Sequence, residues 1–133
     1  MKYMLDTDTC IFLIRRKSEA VLRRLEKCLP GEVGISSITL AELHYGIEKS
    51  MQVQRNRGAL DGFTLPLEMA PFDEHASASY GAVRAALESA GTPIGAMDML
   101  IGTHALSLGV TLITNNTREF KRIKRLKTAD WTR

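Results

Sequence analysis

The chain has 133 residues, of which 44% are hydrophobic and 25% charged, the balance of an ordinary globular protein. At that length a single domain over residues 1–133 buries about two thirds of its unfolded surface and needs no disulfide or structural metal, and no apolar run reaches the ~20 residues of a membrane span. Eighteen Lys and Arg against fifteen Asp and Glu leave a formal charge of +3, too small to argue for a partner by itself.

Tyr3, Met4 and Leu5 read as the end of a short apolar strand, and Cys10-Ile11-Phe12-Leu13-Ile14 as the opening of a helix. Asp6-Thr7-Asp8 falls on the corner between them. Ser18 is placed to cap a second helix with Val21, Leu22 and Leu25 at helical spacing, stopped by Pro30-Gly31. Val33 to Ser36 reads as a strand, after which Ser37 is expected to cap a helix through Lys49 with Leu40, Leu43 and Ile47 as its apolar stripe. Residues 51–65 lack proline and predict a further helix. Leu67 to Phe72 reads as a weak strand near an edge, and Asp73 as the cap of an Ala-rich helix that runs to Ala90 and ends at Gly91. After the turn at 91–95 comes a helix from Ala96 to Leu108, closed by Gly109 in the position of a left-handed cap. Val110 to Thr114 is the clearest strand. Asn115-Asn116 breaks it, a short basic helix follows, and Leu126 to Trp131 is a candidate last strand.

Strands alternating with helices over short loops predict an α/β fold in three layers, a central, mainly parallel sheet of four to five strands with helices on both faces. Cys10 and Cys28 are both expected within helices as reduced thiols, and His44, His75 and His104 form no zinc pattern. With no basic, apolar leader at its start, the protein is expected in the cytoplasm. Seven of the eighteen cations lie in the last sixteen residues, and six more in Arg15-Arg16-Lys17 and at Arg23, Arg24 and Lys27. Such clusters fit a polyanion partner and equally a solvated surface.

Four positions carry the chemistry. Asp6 sits where a parallel strand ends, the edge at which α/β sheets bind ligands, although capping the helix would also explain it. Asp98 opens an otherwise apolar helix, so its carboxylate needs a partner, a cap or a metal. Glu42 shares a helix face with Ile38, Thr39, Tyr45 and Gly46, and Asn116 follows the strand that ends on the same side as Asp6. Carboxylates gathered there repel by about 4 kcal/mol for a pair 4 Å apart in a moderately screened setting, a penalty that a divalent cation removes. Oxygen-only ligation selects Mg²⁺ or Mn²⁺, and metal-dependent phosphodiester hydrolysis is the reaction class that follows.

Four blocks in this order and spacing resemble the PIN-domain ribonucleases, and among them the VapC toxins of bacterial toxin–antitoxin modules. They are Met4-Leu5-Asp6-Thr7, Ser36-Ser37-Ile38-Thr39-Leu40-Ala41-Glu42-Leu43, Gly91-Thr92-Pro93-Ile94-Gly95 leading to Asp98, and Thr114-Asn115-Asn116-Thr117-Arg118-Glu119-Phe120. The resemblance implies that Asp6, Glu42 and Asp98 hold Mg²⁺, for which Mn²⁺ can substitute, with Asn116 where many members carry a fourth acid. Glu119 would contribute through a water, and Asp8 stands where many relatives have Asn. The resemblance further implies a homodimeric endoribonuclease that cuts structured RNA, often a tRNA, leaving a 5′-phosphate and a 3′-hydroxyl. Its inhibitor would be a VapB antitoxin, and operator DNA would be bound only through that antitoxin. RNA backbone contacts are expected at the basic C-terminal cluster and at Arg15-Arg16-Lys17. Two alternatives stand beside this reading: a haloacid-dehalogenase-type phosphatase using Asp6 and Asp8, and a non-catalytic RNA- or partner-binding module.

Overall fold

The computed structural model describes residues 1–16 and 18–133; Lys17, part of the basic segment above, lies outside the described residues. Twelve elements follow in chain order. They are β1 (Tyr3–Leu5), α1 (Thr7–Ile14), α2 (Glu19–Glu26), β2 (Val33–Ser36), α3 (Ser37–Glu48), α4 (Val53–Thr64), β3 (Glu68–Ala70), α5 (Glu74–Ser89), α6 (Ala96–Leu108), β4 (Thr111–Ile113), α7 (Thr117–Phe120) and β5 (Thr128–Ala129). All five strands pair in parallel in the order β3-β2-β1-β4-β5. The expected mainly parallel sheet is thus wholly parallel.

Strands this short and apolar are what a sheet covered on both faces requires. Successive side chains point to opposite faces, so Met4 and Leu112 enter one core while Leu5 and Ile113 enter the other. The Leu5 side is filled by Cys10, Leu13, Val21, Leu43, Ile47 and Leu60 from α1 to α4. The Met4 side is filled by Leu87, Met99, Ile101, Ala105 and Phe120 from α5, α6 and α7, with Ile123 just beyond. Three layers result. At Gly34 an added Cβ would lie 2.5 Å from the Glu68 carbonyl oxygen, so β3 reaches its edge position only beside a glycine. No described helix is long and apolar enough to cross a membrane.

Caps set the boundaries. Asp6, Ser18, Ser36 and Asp73 each accept a backbone N–H at the start of α1, α2, α3 and α5, filling bonds that a helix start leaves open. Gly109, at φ +68, closes α6 in the left-handed conformation. Most elements differ from the sequence expectation by one to three residues at an end, and two of these differences have a local cause. Ser36 caps α3, with Ser37 already its first helical residue, because the earlier hydroxyl points at the Ile38 amide from 3.1 Å. Cys28 is half-buried and lies beyond the end of α2, since the Lys27 cap turns the chain before it.

The strand order reverses at the centre: the chain steps outward from β1 to β2 and β3, then returns to β4 on the other flank of β1. The crevice between the carboxyl ends of β1 and β4 is therefore a topological switch point, where open α/β sheets place their ligands. Leu5 pairs with Ile113, so the residues that emerge there side by side are Asp6 and Thr114.

Candidate active site

Asp6 leaves β1 with its backbone N–H on the Ile113 carbonyl at 3.0 Å and its side chain on the Thr9 amide at 2.9 Å. It caps α1 and faces the switch point at once. Only 5% exposed, its carboxyl is raised above the usual range by burial, an effect opposed by bonds from Thr114 and Thr9. Thr9 is fixed in turn by donating its hydroxyl to the Ile113 carbonyl at 3.2 Å. Asp8, two residues along, is exposed and adds negative charge to the same corner.

Glu42 arrives from α3. The Thr7 hydroxyl donates to its Oε1 at 2.6 Å and lies 3.3 Å from the buried Thr39 hydroxyl. The residue after Asp6 therefore holds Glu42 in place. Sequence reasoning assigned Thr7 no contact with Glu42; the available signal was the run of hydroxyls at 7, 9, 39 and 114 around the acids.

Asp98 stands in the first turn of α6, half-buried. Its carboxyl is pushed up to about 7, first by burial, then by the charges of Glu119 and Asp6. Glu119 is held below the usual carboxylate range, chiefly by the Gly95 amide. That amide donates to Oε1 at 2.8 Å, and Asn116 Nδ2 donates to Oε2 at 2.8 Å. Arg122 Nη1 donates to the Pro93 carbonyl at 2.8 Å. The α6 N-cap, Gly95, has no side chain to offer, so α7 and the residue after its cap grip the loop before α6. Asn116 sits at the start of α7 without capping it; its amide is turned to Glu119. An open cleft lies beside this contact, lined by Pro93, Ile94, Gly95, Asn116, Arg118, Glu119 and Arg122.

A second, buried contact ties the two acid-bearing helices together. His104 on α6 is 1% exposed, and its Nδ1 lies 2.7 Å from Ser36 Oγ, the α3 cap. Burial pushes the imidazole down, toward its neutral form.

Asp6, Asp8, Asp98 and Glu119 thus share one electrostatic neighbourhood, with Glu42 tethered to Thr7 and Asn116 to Glu119. Among the described residues none of these carboxylates forms an ion pair with Lys or Arg. Nor do three His, Cys, Asp or Glu side chains among the described residues stand close enough around one point to enclose a metal by themselves. The donor set fits a hard ion nonetheless, since Mg²⁺ keeps several waters and is usually bound through only one or two carboxylates. Half-buried oxygens with excess negative charge at the mouth of a parallel sheet are chemically compatible with a divalent cation.

Comparison with known proteins gives this class its family. The PIN domain family model matches residues 3–126, and the chain belongs to that family of divalent-metal-dependent ribonucleases. It is 42% identical over 132 residues, 99% of each chain, to the tRNA(fMet)-specific endonuclease VapC of Shigella flexneri. It is 44% identical over 131 residues, 98% of each chain, to the enzyme of the same name from Salmonella typhimurium. Among solved structures it is similar to the DNA-bound VapBC from Salmonella typhimurium, with a TM-score of 0.94 and 44% identity over 98% of each chain. VapBC2 from Rickettsia felis, bound to a promoter fragment, matches with a TM-score of 0.91 and 40% identity, covering 98% of this chain and 99% of that one. Within the PIN domains, then, the chain is a VapC-type endoribonuclease, the toxin of a toxin–antitoxin pair. The phosphatase alternative gives way to this assignment.

Proposed function

We propose that the chain cleaves a tRNA by water attack on a backbone phosphodiester, with Asp6, Glu42 and Asp98 as the carboxylates that hold Mg²⁺, directly or through its waters, and Mn²⁺ as a working substitute. The observation that carries the reading is the crowding of Asp6, Asp8 and Asp98 with Glu119 at the switch point, without a paired cation among the described residues. Uncompensated carboxylates of this kind are stabilised by a hard divalent ion. When bound, such an ion supplies a water of lowered pKa and positive charge for the phosphate oxygens.

The chain's own residues do the positioning. Asp6 is rigid because the α1 cap and the Ile113 carbonyl fix its backbone and side chain together. Thr7 holds the Glu42 carboxylate toward the same corner. Asn116 and Glu119 keep the loop before Asp98 in place, and the exposed Arg118 and Arg122 bring positive charge to the cleft where the substrate phosphate would enter. The tRNA substrate is supported by the tRNA(fMet)-specific relatives. An antitoxin of the VapB type as partner, and operator DNA reached through it, are supported by the VapBC complexes bound to DNA. A homodimer belongs to the same reading.

The test incubates purified protein with total tRNA in EDTA, then in Mg²⁺ or Mn²⁺, and maps new 5′ ends by sequencing. Cleavage at discrete sites is expected only with metal, and Asp6→Asn, Glu42→Gln and Asp98→Asn should each abolish it. Cleavage that persists in EDTA, or in Asp98→Asn, overturns the metal assignment. Intact tRNA beside a cut ribosomal RNA overturns the substrate.

A further inference from the structure

Among the described residues, positive φ at a residue other than glycine occurs at Arg16 and at Arg125. Arg125, at φ +69, lies in the segment that joins α7 to β5. In the left-handed region Cβ crowds the following carbonyl, which is why glycine or asparagine usually occupies it. A bulky residue kept there indicates that the surroundings force the conformation or that the side chain is used.

The inner side of this segment is apolar and fixed. Phe120 and Ile123 are buried, Leu126 packs against the same core, and the Leu126 amide donates to the Ile123 carbonyl at 3.3 Å. With every third residue turned inward, the positions between them must face out. Arg118, Lys121, Arg122, Lys124, Arg125 and Lys127 are all exposed, and none forms an ion pair among the described residues. Glu119 interrupts the run, but both its oxygens are engaged, by Gly95 and Asn116. An ordinary solvated surface intersperses both signs. This one is a ridge of like charge, and it starts at Arg118 and Arg122, which line the cleft beside Glu119.

We propose that residues 118–127 are the seat of the RNA backbone as it leaves the candidate active site, with Arg125 held out by its left-handed conformation to meet a phosphate. The inference rests on the RNA-cleaving reading above. RNA is favoured over an acidic protein because the ridge is continuous with the cleft in which the scissile phosphate must lie.

The test uses Asp6→Asn protein, which retains an oxygen to cap α1 and does not consume the probe. Binding of a fluorescently labelled tRNA transcript is followed across a salt series, beside the melting temperature, with Arg125, Arg125→Gly or Arg125→Lys. The expected result is that Arg125→Gly melts no lower than its parent yet binds tRNA severalfold more weakly, its slope of log K against log salt reduced by about 0.7. Arg125→Lys should keep the slope. The proposal is overturned if Arg125→Gly binds tRNA with unchanged affinity and slope, or if it melts lower, which would make the arginine a structural residue. It is also overturned if only the affinity for an antitoxin peptide falls. A parent protein that binds tRNA with no salt dependence also overturns the proposal, whereas a parent that binds no tRNA at any salt would instead refute the RNA-cleaving reading itself.

Discussion

Replacing Asp98 by asparagine separates the function of the acid corner from its effect on stability. The carboxyl is pushed up to about 7, so relative to an ordinary aspartate near 4 the folded chain disfavours its charged form by about 4 kcal/mol. Asp98 is half-exposed, and solvent screening reduces the part felt as stability to about 1–2 kcal/mol. For a carboxyl raised on folding, the contribution is fully present below the unfolded pKa near 4 and is lost as pH rises through about 7. In EDTA the wild-type chain should therefore weaken across that window, while Asp98→Asn does not lose this contribution and is the more stable protein at pH 8. Mg²⁺ at ten times its dissociation constant returns about 1.4 kcal/mol to the wild type, closing the gap, and does less for the variant. Urea denaturation of both proteins, followed by circular dichroism at pH 5 and pH 8 with EDTA and then Mg²⁺, reads these differences. If Asp98→Asn is the less stable protein at pH 8 in EDTA, the reasoning fails.

Thr7→Val deletes the hydroxyl bonded to Glu42; a hydrogen bond to a charged group contributes about 1.5–3 kcal/mol, so RNA cleavage should slow about 10- to 100-fold in a fold that still melts cooperatively. An unchanged rate would show that Glu42 needs no such tether. His104 gives the opposite pH dependence to Asp98: burial lowers its folded pKa, so the stability it contributes is present above about 6.5 and is lost as pH falls toward that lowered value. His104→Gln should remove this acid-side loss from the denaturation curve, and an identical loss in the variant would assign it elsewhere. Gly102→Ala places a Cβ 2.6 Å from Ile123 Cδ1 and 3.1 Å from Phe120 Cδ1; overpacking of this kind costs about 1–3 kcal/mol, and a melting temperature equal to wild type would show that Ile123 and Phe120 yield freely.

The three central strands, β1, β2 and β4, were legible because both of their faces are buried. Met4-Leu5, Ile35 and Leu112-Ile113 are apolar without alternation, as strands of a covered sheet must be. Helix ends were legible wherever a single residue decides them, as Asp73 and Gly109 do. Where two candidates stood together, as with Ser36 and Ser37, the choice depended on which hydroxyl reaches an amide, and that is a matter of geometry. The same limit applies to the site. Asp6 and Asp98 could be singled out because a carboxylate beside apolar neighbours demands a reason. That Thr7 would hold Glu42, or that Glu119 would brace Gly95, depends on contacts 35 and 24 residues apart, for which local periodicity carries no signal. The strand order, and hence the switch point, is equally non-local.

The bracing of the loop before α6 bears on when the enzyme becomes competent. Gly95 and Pro93 are held by Glu119 and Arg122, residues that follow Asp6 by more than a hundred positions. Chains emerge from the ribosome amino end first, so a nascent toxin carries its earliest acid long before the residues that settle Asp98 exist. Ribosome-bound fragments ending before Asn116 are on this account expected to leave the RNA around them intact, because the brace on the loop before α6 arrives only with Asn116, Glu119 and Arg122.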